Sequence, residues 1–254
     1  MVALLPMYDW PEVQAETDAL WRAIREGLRA RGVEAPANLL RPGRLPEDWL
    51  SPDLLLSQTC GLPFARSLRG RVDLVAGADH GLPDLAPGTY RSRVVVRAED
   101  DAQGIEGLRG RVLAINSADS QSGAGSIRRV LAAFPQPVVA RVVETGAHRE
   151  SIRAVAEGRA DAAAIDAVGW ELALRHDPLS RRLRVVASTP ETAGLPFITR
   201  RGGPVEALRT ALAEAVEAVG PSVREAVLLR GIVHRADADF DEIARWDAEA
   251  PALA

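Results

Sequence analysis

The residues with the most chemical content lie in one stretch, Asn116-Ser-Ala-Asp-Ser-Gln-Ser-Gly-Ala-Gly125. It follows an apolar run that reads as a strand, is rich in Ser and Gly, and opens a segment with helical spacing. Exposed backbone N–H groups and the positive end of a helix make such a turn an anion site. Ser120 and Ser122 would add hydroxyl donors, and Gly123 would let an oxyanion approach the backbone closely. The same residues also suit an ordinary helix cap, with Ser120 or Ser122 as the capping side chain. A nucleotide P-loop is excluded, because no Lys follows the glycines. The dinucleotide spacing fails too, since Arg128 stands where the third Gly would follow Gly123 and Gly125.

His148 occupies a similar place in Thr145-Gly146-Ala147-His148. An imidazole at a helix start can donate to an anion, and its ordinary pKa near 6.5 would make that donation pH-sensitive. Asp166 ends a run of small residues, where it could accept from an amino-bearing ligand or cap the following helix. Ser122, His148 and Asp166 together invite a hydrolase-triad reading. The nucleophile-elbow pattern is absent, because Ser120 and Ala124 stand where its two glycines belong. Asp79 and His80 are adjacent potential metal ligands without further ligands at suitable spacing, so no metal site is expected. Tyr8, Trp10 and Tyr90 are polar-tipped aromatics near strand ends, suited to lining a cleft. Arg91 or Arg97 could pair a carboxylate or a phosphonate.

These residues need elements to position them, and the hydrophobic pattern supplies an alternation. Strands are expected at Val2–Met7, Leu39–Leu40, Asp53–Ser57, Val72–Ala76, Tyr90–Arg97, Arg111–Ile115, Val138–Glu144, Asp161–Ile165, Leu183–Ala187 and Pro196–Arg200. Helices are expected at Pro11–Ala30, Leu62–Leu68, Gly123–Phe134, Arg149–Glu157, Val168–Arg175, Val205–Val219, Ser222–Arg230 and Asp241–Trp246, with a helix-like stretch around Trp49. Trp21, Trp49, Trp170 and Trp246 fall on helical stripes and are expected in cores. The alternation predicts an α/β fold, with mostly parallel sheets covered by helices on both faces. Such sheets bind ligands at the carboxyl ends of their strands, where Tyr8, Gln58–Cys60, Asp79–His80, Asn116–Gly123, Thr145–His148 and Asp166 all lie.

Composition bounds the rest. In 254 residues, 47% are hydrophobic and 26% charged, which is globular and excludes disordered and disulfide-scaffold classes. The single Cys60 excludes an intramolecular disulfide. Net charge is −4, so no global cationic field draws nucleic acid or an anionic membrane. All 31 cationic side chains are Arg, which removes Schiff-base chemistry. The start has no cationic leader segment, and no apolar window approaches a membrane span. The expectation is therefore a cytoplasmic chain as written, periplasmic if a leader was removed, without cofactor and without insertion into the membrane.

The order strand–Ser-x-Ser-Gly–helix, then Thr-Gly-Ala-His–helix, then Ala-Ala-Ile-Asp–helix resembles the phosphate/phosphonate-binding group of ABC-transporter solute-binding proteins. These have the type II periplasmic-binding-protein fold. The resemblance runs from about Leu4 to Arg201, and the tail Ala238–Trp246 is compatible with it. It implies two lobes, one at residues 1–92 plus 190–254 and the other at 93–189, joined by two crossover strands, with ligand held between them. It further implies that Ser120, Ser122 and Gly123 hold the phosphonate oxygens and that His148 is another anion donor. Asp166 would take the far polar or amino end, and Tyr8, Thr59 and Tyr90 would complete the pocket. The implied function is capture of phosphate, phosphite or a phosphonate, with an ABC transporter permease as partner. Two other readings share this fold. One is a cytoplasmic enzyme of the menaquinone-dehydratase or thiamine-precursor type, with His148 and Asp166 as acid and base. The other is an effector module like that of LysR-type regulators.

Overall fold

The computed structural model describes residues 1–250, and the chain divides into two compact α/β units. The first holds Met1–Thr89 and Ala193–Asp241; the second holds Tyr90–Thr192 and the segment from Glu242. The chain therefore leaves the first unit at Thr89/Tyr90, returns at Thr192/Ala193, and crosses again at Asp241/Glu242. The lobe boundaries implied by the resemblance gave residues 190–254 to the first unit. The tail instead belongs to the second, where Arg128 pairs with Asp247 and the Arg129 guanidinium sits 5.8 Å over the Trp246 ring. Tyr90, expected with the first lobe, is the opening residue of the second unit.

In the first unit, β1 (Val2–Leu4) leads into α1 (Gln14–Ala30), which starts after a short turn at Pro11–Val13. The stripe Leu20, Ile24, Leu28 repeats every fourth residue, the spacing that puts side chains on one helical face, and all three are buried. β2 (Leu54–Gln58) is followed by α2 (Gly61–Pro63), which runs on through a wide turn at Phe64–Leu68 closed by Arg69 N–H on the Phe64 carbonyl. β3 (Val72–Asp79) reaches further than expected and carries Ala78 and Asp79 into the sheet. The crossing strand β4 (Thr89–Tyr90) then leads away.

The second unit contains β5 (Ser92–Arg97), β6 (Val112–Ile115), α3 (Ser126–Leu131), β7 (Arg141–Glu144), α4 (His148–Ala156), β8 (Ala162–Asp166), α5 (Ala167–His176), β9 (Leu183–Ser188) and the start of β10 (Thr192–Ala193). The chain returns to the first unit through β11 (Pro196–Arg200), α6 (Val205–Ala218), α7 (Pro221–Ala226) and β12 (Gly231–Val233). α8 (Asp241–Glu249) ends the described chain.

Each unit is built on a five-stranded sheet, ordered β1-β2-β11-β3-β12 in the first and β7-β6-β8-β5-β9 in the second. The pairs β1/β2, β6/β7 and β6/β8 are parallel. β11 runs antiparallel to β2 and β3, and β5 antiparallel to β8 and β9. In each sheet the strand that enters from a crossing thus runs against its neighbours. The strand expected at Leu39–Leu40 does not form; that segment contributes one bond, Leu40 N–H to the Ala3 carbonyl at 2.8 Å. The helix expected through Arg230 stops at Ala226, and β12 takes up the free edge of β3.

Both cores are apolar and continuous. In the first unit Trp21, Ile24 and Leu28 meet Leu55, Val75, Phe197, Leu208 and Leu212. In the second, Val94, Val96, Leu113, Ile115, Ile127 and Val138 pack together with Ala162 and Ala164 of β8. Trp21, Trp49, Trp170 and Trp246 are all buried.

Candidate functional site

The sequence-derived candidates in the second unit gather at the carboxyl ends of β6, β7 and β8. Ser120 closes the turn after β6 and caps the helical run that follows. Its Oγ accepts from Gly123 N–H at 3.1 Å, and its carbonyl accepts from Ala124 at 3.1 Å and Gly125 at 2.9 Å. The Gly125 bond spans five residues, so Gln121–Gly125 forms a wide turn before the regular helix α3 begins. This cap leaves the Ser122 N–H ahead of the first intrahelical acceptor, pointing in the direction in which a helix start favours negative charge.

The loop after β7 is stitched to the loop after β6. Thr145 N–H donates to the Ile115 carbonyl at 2.9 Å, and Gly146 N–H to the Asn116 carbonyl at 2.8 Å. Gly146 has φ +87°, a conformation that a side chain would strain. The stitch delivers His148, first residue of α4, to Ser122: Nε2 lies 2.7 Å from Ser122 Oγ. Ser122 Oγ lies 3.3 Å from Ser120 Oγ, so two hydroxyls and an imidazole form one chain. Ser92 of β5 fixes that chain from the other side, its Oγ donating to the Ser122 carbonyl at 2.7 Å.

Burial pushes the His148 imidazole down to about 4, opposed by the Ala164 carbonyl. Nδ1 is out of solvent and makes no hydrogen bond of good geometry. The ring is therefore neutral through the physiological range, against the expectation that it would donate as a cation near pH 6. The neutral ring still carries one proton. With Nε2 protonated, His148 donates to Ser122 Oγ and frees the serine proton; with Nδ1 protonated, that proton is spent on Nε2.

Gly123 is also a packing requirement. A Cβ there would stand 1.8 Å from Asn116 Oδ1, so only glycine fits beside Asn116. Asn116 Oδ1 is buried and lacks a hydrogen-bond partner. The sequence placed Asn116 in the loop without a role; only its contact with Gly123 distinguishes it.

Asp166 is the cap of α5. Its Oδ1 accepts from Val168 N–H at 2.8 Å and Gly169 N–H at 2.9 Å, and the residue is buried. One carboxylate oxygen is thus committed to the helix, as the capping alternative expects. A hydrolase triad needs the acid on the histidine, and the contacts of this Oδ1 are to backbone instead. Arg91 pairs with Glu191, and Arg97 donates to the Ala160 carbonyl at 3.0 Å and meets Asp161 at 3.3 Å. Both arginines are engaged within the second unit. Tyr90 is fully buried at the end of β4.

In the first unit, Thr59 follows β2 and is buried, with its N–H on the Pro196 carbonyl at 3.0 Å and its hydroxyl on the Cys60 carbonyl at 3.4 Å. Tyr8 stands edge-on to His80 with ring centroids 5.0 Å apart. Burial pushes His80 down to about 4 as well, against the Leu228 carbonyl and the nearby Asp79, which favour its proton. Among the described residues, no group of His, Cys, Asp and Glu is arranged to hold a metal ion. No helix among them is long and apolar enough to cross a membrane.

Two α/β units, each on a five-stranded sheet with helix starts at its strand ends, and hydroxyls with a neutral imidazole at one of those ends, define a solute-binding architecture. A family model described as ABC transporter, phosphonate, periplasmic substrate-binding protein matches residues 56–242, and the chain belongs to that family. It is a solute-binding protein. Solved structures share the fold. PhnD1 from Prochlorococcus marinus in complex with methylphosphonate has a TM-score of 0.76 at 16% identity, covering 98% of this chain and 97% of that one. A binding protein component of an ABC phosphonate transporter from Pseudomonas aeruginosa has 0.71 at 15% identity, covering 97% and 85%. A histidine kinase sensor domain similar to periplasmic binding proteins has 0.60 at 16% identity, covering 92% and 98%. No curated protein matches the sequence.

Proposed function

We propose that the solute is a small phosphorus oxyanion, phosphate, phosphite or a phosphonate, and that the Ser120–Ser122–His148 chain holds its oxygens. The observation that carries this reading is the 2.7 Å contact between Ser122 Oγ and His148 Nε2 at the start of a capped helical run. Anion capture selects the tautomer with the proton on Nε2: His148 donates to Ser122, and Ser122 donates to the ligand. The Ser122 N–H and the helix end add fixed positive dipoles, which replace the hydration of the oxyanion without a formal cation in the site. Arg128 and Arg149 have carboxylate partners at Asp247 and Asp177, so the reading assigns the anion to dipoles rather than to a guanidinium. Membership of the family supports an ABC transporter permease as the partner that takes the solute onward. The enzyme reading finds less support, since the Asp166 oxygen that would complete an acid–base pair is spent on capping α5.

Calorimetric titration of refolded protein with phosphate, phosphite, methylphosphonate, 2-aminoethylphosphonate and sulfate tests the proposal. One phosphorus oxyanion should bind with micromolar affinity or better. Silence across the whole panel would overturn it.

A further inference from the structure

The first unit contains a cavity of about 40 Å³ that the Ser120–Ser122–His148 chain of the second unit does not line. A single water needs only about 10–15 Å³ on this measure, so the space suits two or three non-hydrogen atoms. Leu5, Leu20, Phe197 and Leu229 supply apolar wall, and Gln58, His80, Tyr8 and Thr17 bring polar groups, of which the Thr17 hydroxyl already donates to the Val13 carbonyl at 3.1 Å. Gln58 ends β2 and His80 directly follows β3, so the sheet fixes both positions. Gln58 is 5% exposed and His80 6% exposed, and the Nε2 atom of each is buried without a hydrogen-bond partner.

The chemistry of the two atoms is opposite. His80 Nδ1 lies 2.6 Å from the Leu228 carbonyl, which can only accept, so Nδ1 carries the proton. His80 Nε2 is then a bare acceptor while the ring stays neutral, and burial keeps it neutral down to about pH 4. Gln58 Nε2 is a donor. An isolated donor and an isolated acceptor are both costly to bury, and one group that donates and accepts would satisfy the pair. A carboxylate or phosphonate oxygen would face the imidazole lone pair, and an ammonium, which only donates, would face the Gln58 N–H. A hydroxyl can donate to the one atom and accept from the other.

We propose that this cavity receives the hydroxyl end of a small molecule, with its O–H donating to His80 Nε2, its oxygen accepting from Gln58 Nε2, and its methylene against Leu5, Leu20 and Phe197. The inference is independent of the oxyanion reading, because the cavity and its polar atoms belong to the first unit alone.

The test is the ¹⁵N resonance of His80 Nε2 in the intact chain, titrated separately with ethanol, 2-hydroxyethylphosphonate and ethylphosphonate. A hydroxyl probe should move Nε2 saturably towards the hydrogen-bonded position, and ethylphosphonate should not. Ethanol alone succeeding identifies a free alcohol; 2-hydroxyethylphosphonate alone succeeding identifies a hydroxyl carried on an anion. Gln58→Leu, or Gln58→Met if the first variant folds poorly, should weaken the response at least tenfold. The proposal is overturned if neither hydroxyl probe moves Nε2 or if ethylphosphonate moves it equally. It is also overturned if Nε2 already sits at the hydrogen-bonded position without a probe, which would mean ordered water only.

Discussion

The two units place their strands in a corresponding order but finish the sheet differently. In the second unit β6 has parallel partners on both sides, β7 and β8, and the loops after all three strands end on helix starts. In the first unit β1 occupies the equivalent place beside β2, but its outer neighbour is the Leu39–Leu40 segment, which gives a single backbone bond. Arg41 compensates there. It follows Leu40, pairs with both oxygens of Asp9 in the loop after β1, and reaches Asp18 of α1 at 2.6 Å. One unit therefore braces its strand-end loops with a backbone ladder, the other with a guanidinium. A ladder leaves side chains such as Ser122 and His148 available for a ligand, whereas the ion pair commits the Asp9 side chain to structure.

Two histidines, His80 in the first unit and His148 in the second, offer the largest way to sharpen this contrast. Both are lowered to about 4 in the folded protein, against about 6.5 in the unfolded chain. Between pH 6.5 and 4 the unfolded state takes up protons that the native state refuses, so stability is full above pH 6.5 and falls with acid. The loss should approach about 3 kcal/mol per histidine near pH 4, less for the half-buried His148. Urea unfolding from pH 7 to pH 4.5 should show it, and His148→Gln should flatten the slope by its own share. An unchanged slope would mean that His148 is solvated.

Removing the brace is the next largest perturbation. Arg41→Met leaves Asp9, whose side chain is 10% exposed, without its partner. It should cost about 2–3 kcal/mol, the lower part of the range for breaking a buried pair because Arg41 itself is partly exposed. Equal stability of the variant would show that Leu40 and the apolar core suffice. Gly123→Ala should cost about 1–2 kcal/mol by driving Asn116 from its place. Adding Asn116→Ala should recover most of that loss, and a failure to recover would separate Gly123 from Asn116. Asp166→Ala removes the cap of α5 and should cost about 1 kcal/mol by thermal unfolding. If this variant abolished oxyanion binding while leaving stability unchanged, Asp166 would be a ligand residue rather than a cap.

Much of this arrangement is legible in the sequence because it is local. The run Ala162–Ile165 reads as a buried strand from composition alone, and Asp166 reads as a cap from its place directly ahead of a helical run. Ser120, Ser122 and His148 each follow a strand, so their gathering at one sheet end follows from the alternation. What is not legible depends on distant partners. Asn116 gives no signal of its own in the loop, and its fit against Gly123 shows only in three dimensions. The tail cannot be assigned by pattern, because an Arg128–Asp247 pair and the Arg129–Trp246 contact decide its place across more than a hundred residues. β12 is three residues long, too short for a period-two signal, and its edge position exists only once β3 is in the sheet. The neutrality of His148 is a consequence of burial, which spacing does not reveal.

The central claim is that the hydroxyl of Ser122, oriented by His148, binds the oxyanion. Calorimetry of the preferred phosphorus oxyanion on the parent chain and on Ser122→Ala, at pH 6 and pH 8, tests it most directly. The account predicts a loss of about 1–3 kcal/mol for the variant, equivalent to roughly fivefold to 150-fold in Kd. That loss should be the same at both pH values, since His148 is neutral at each. An unchanged Kd would contradict the account and remove Ser122 from the site.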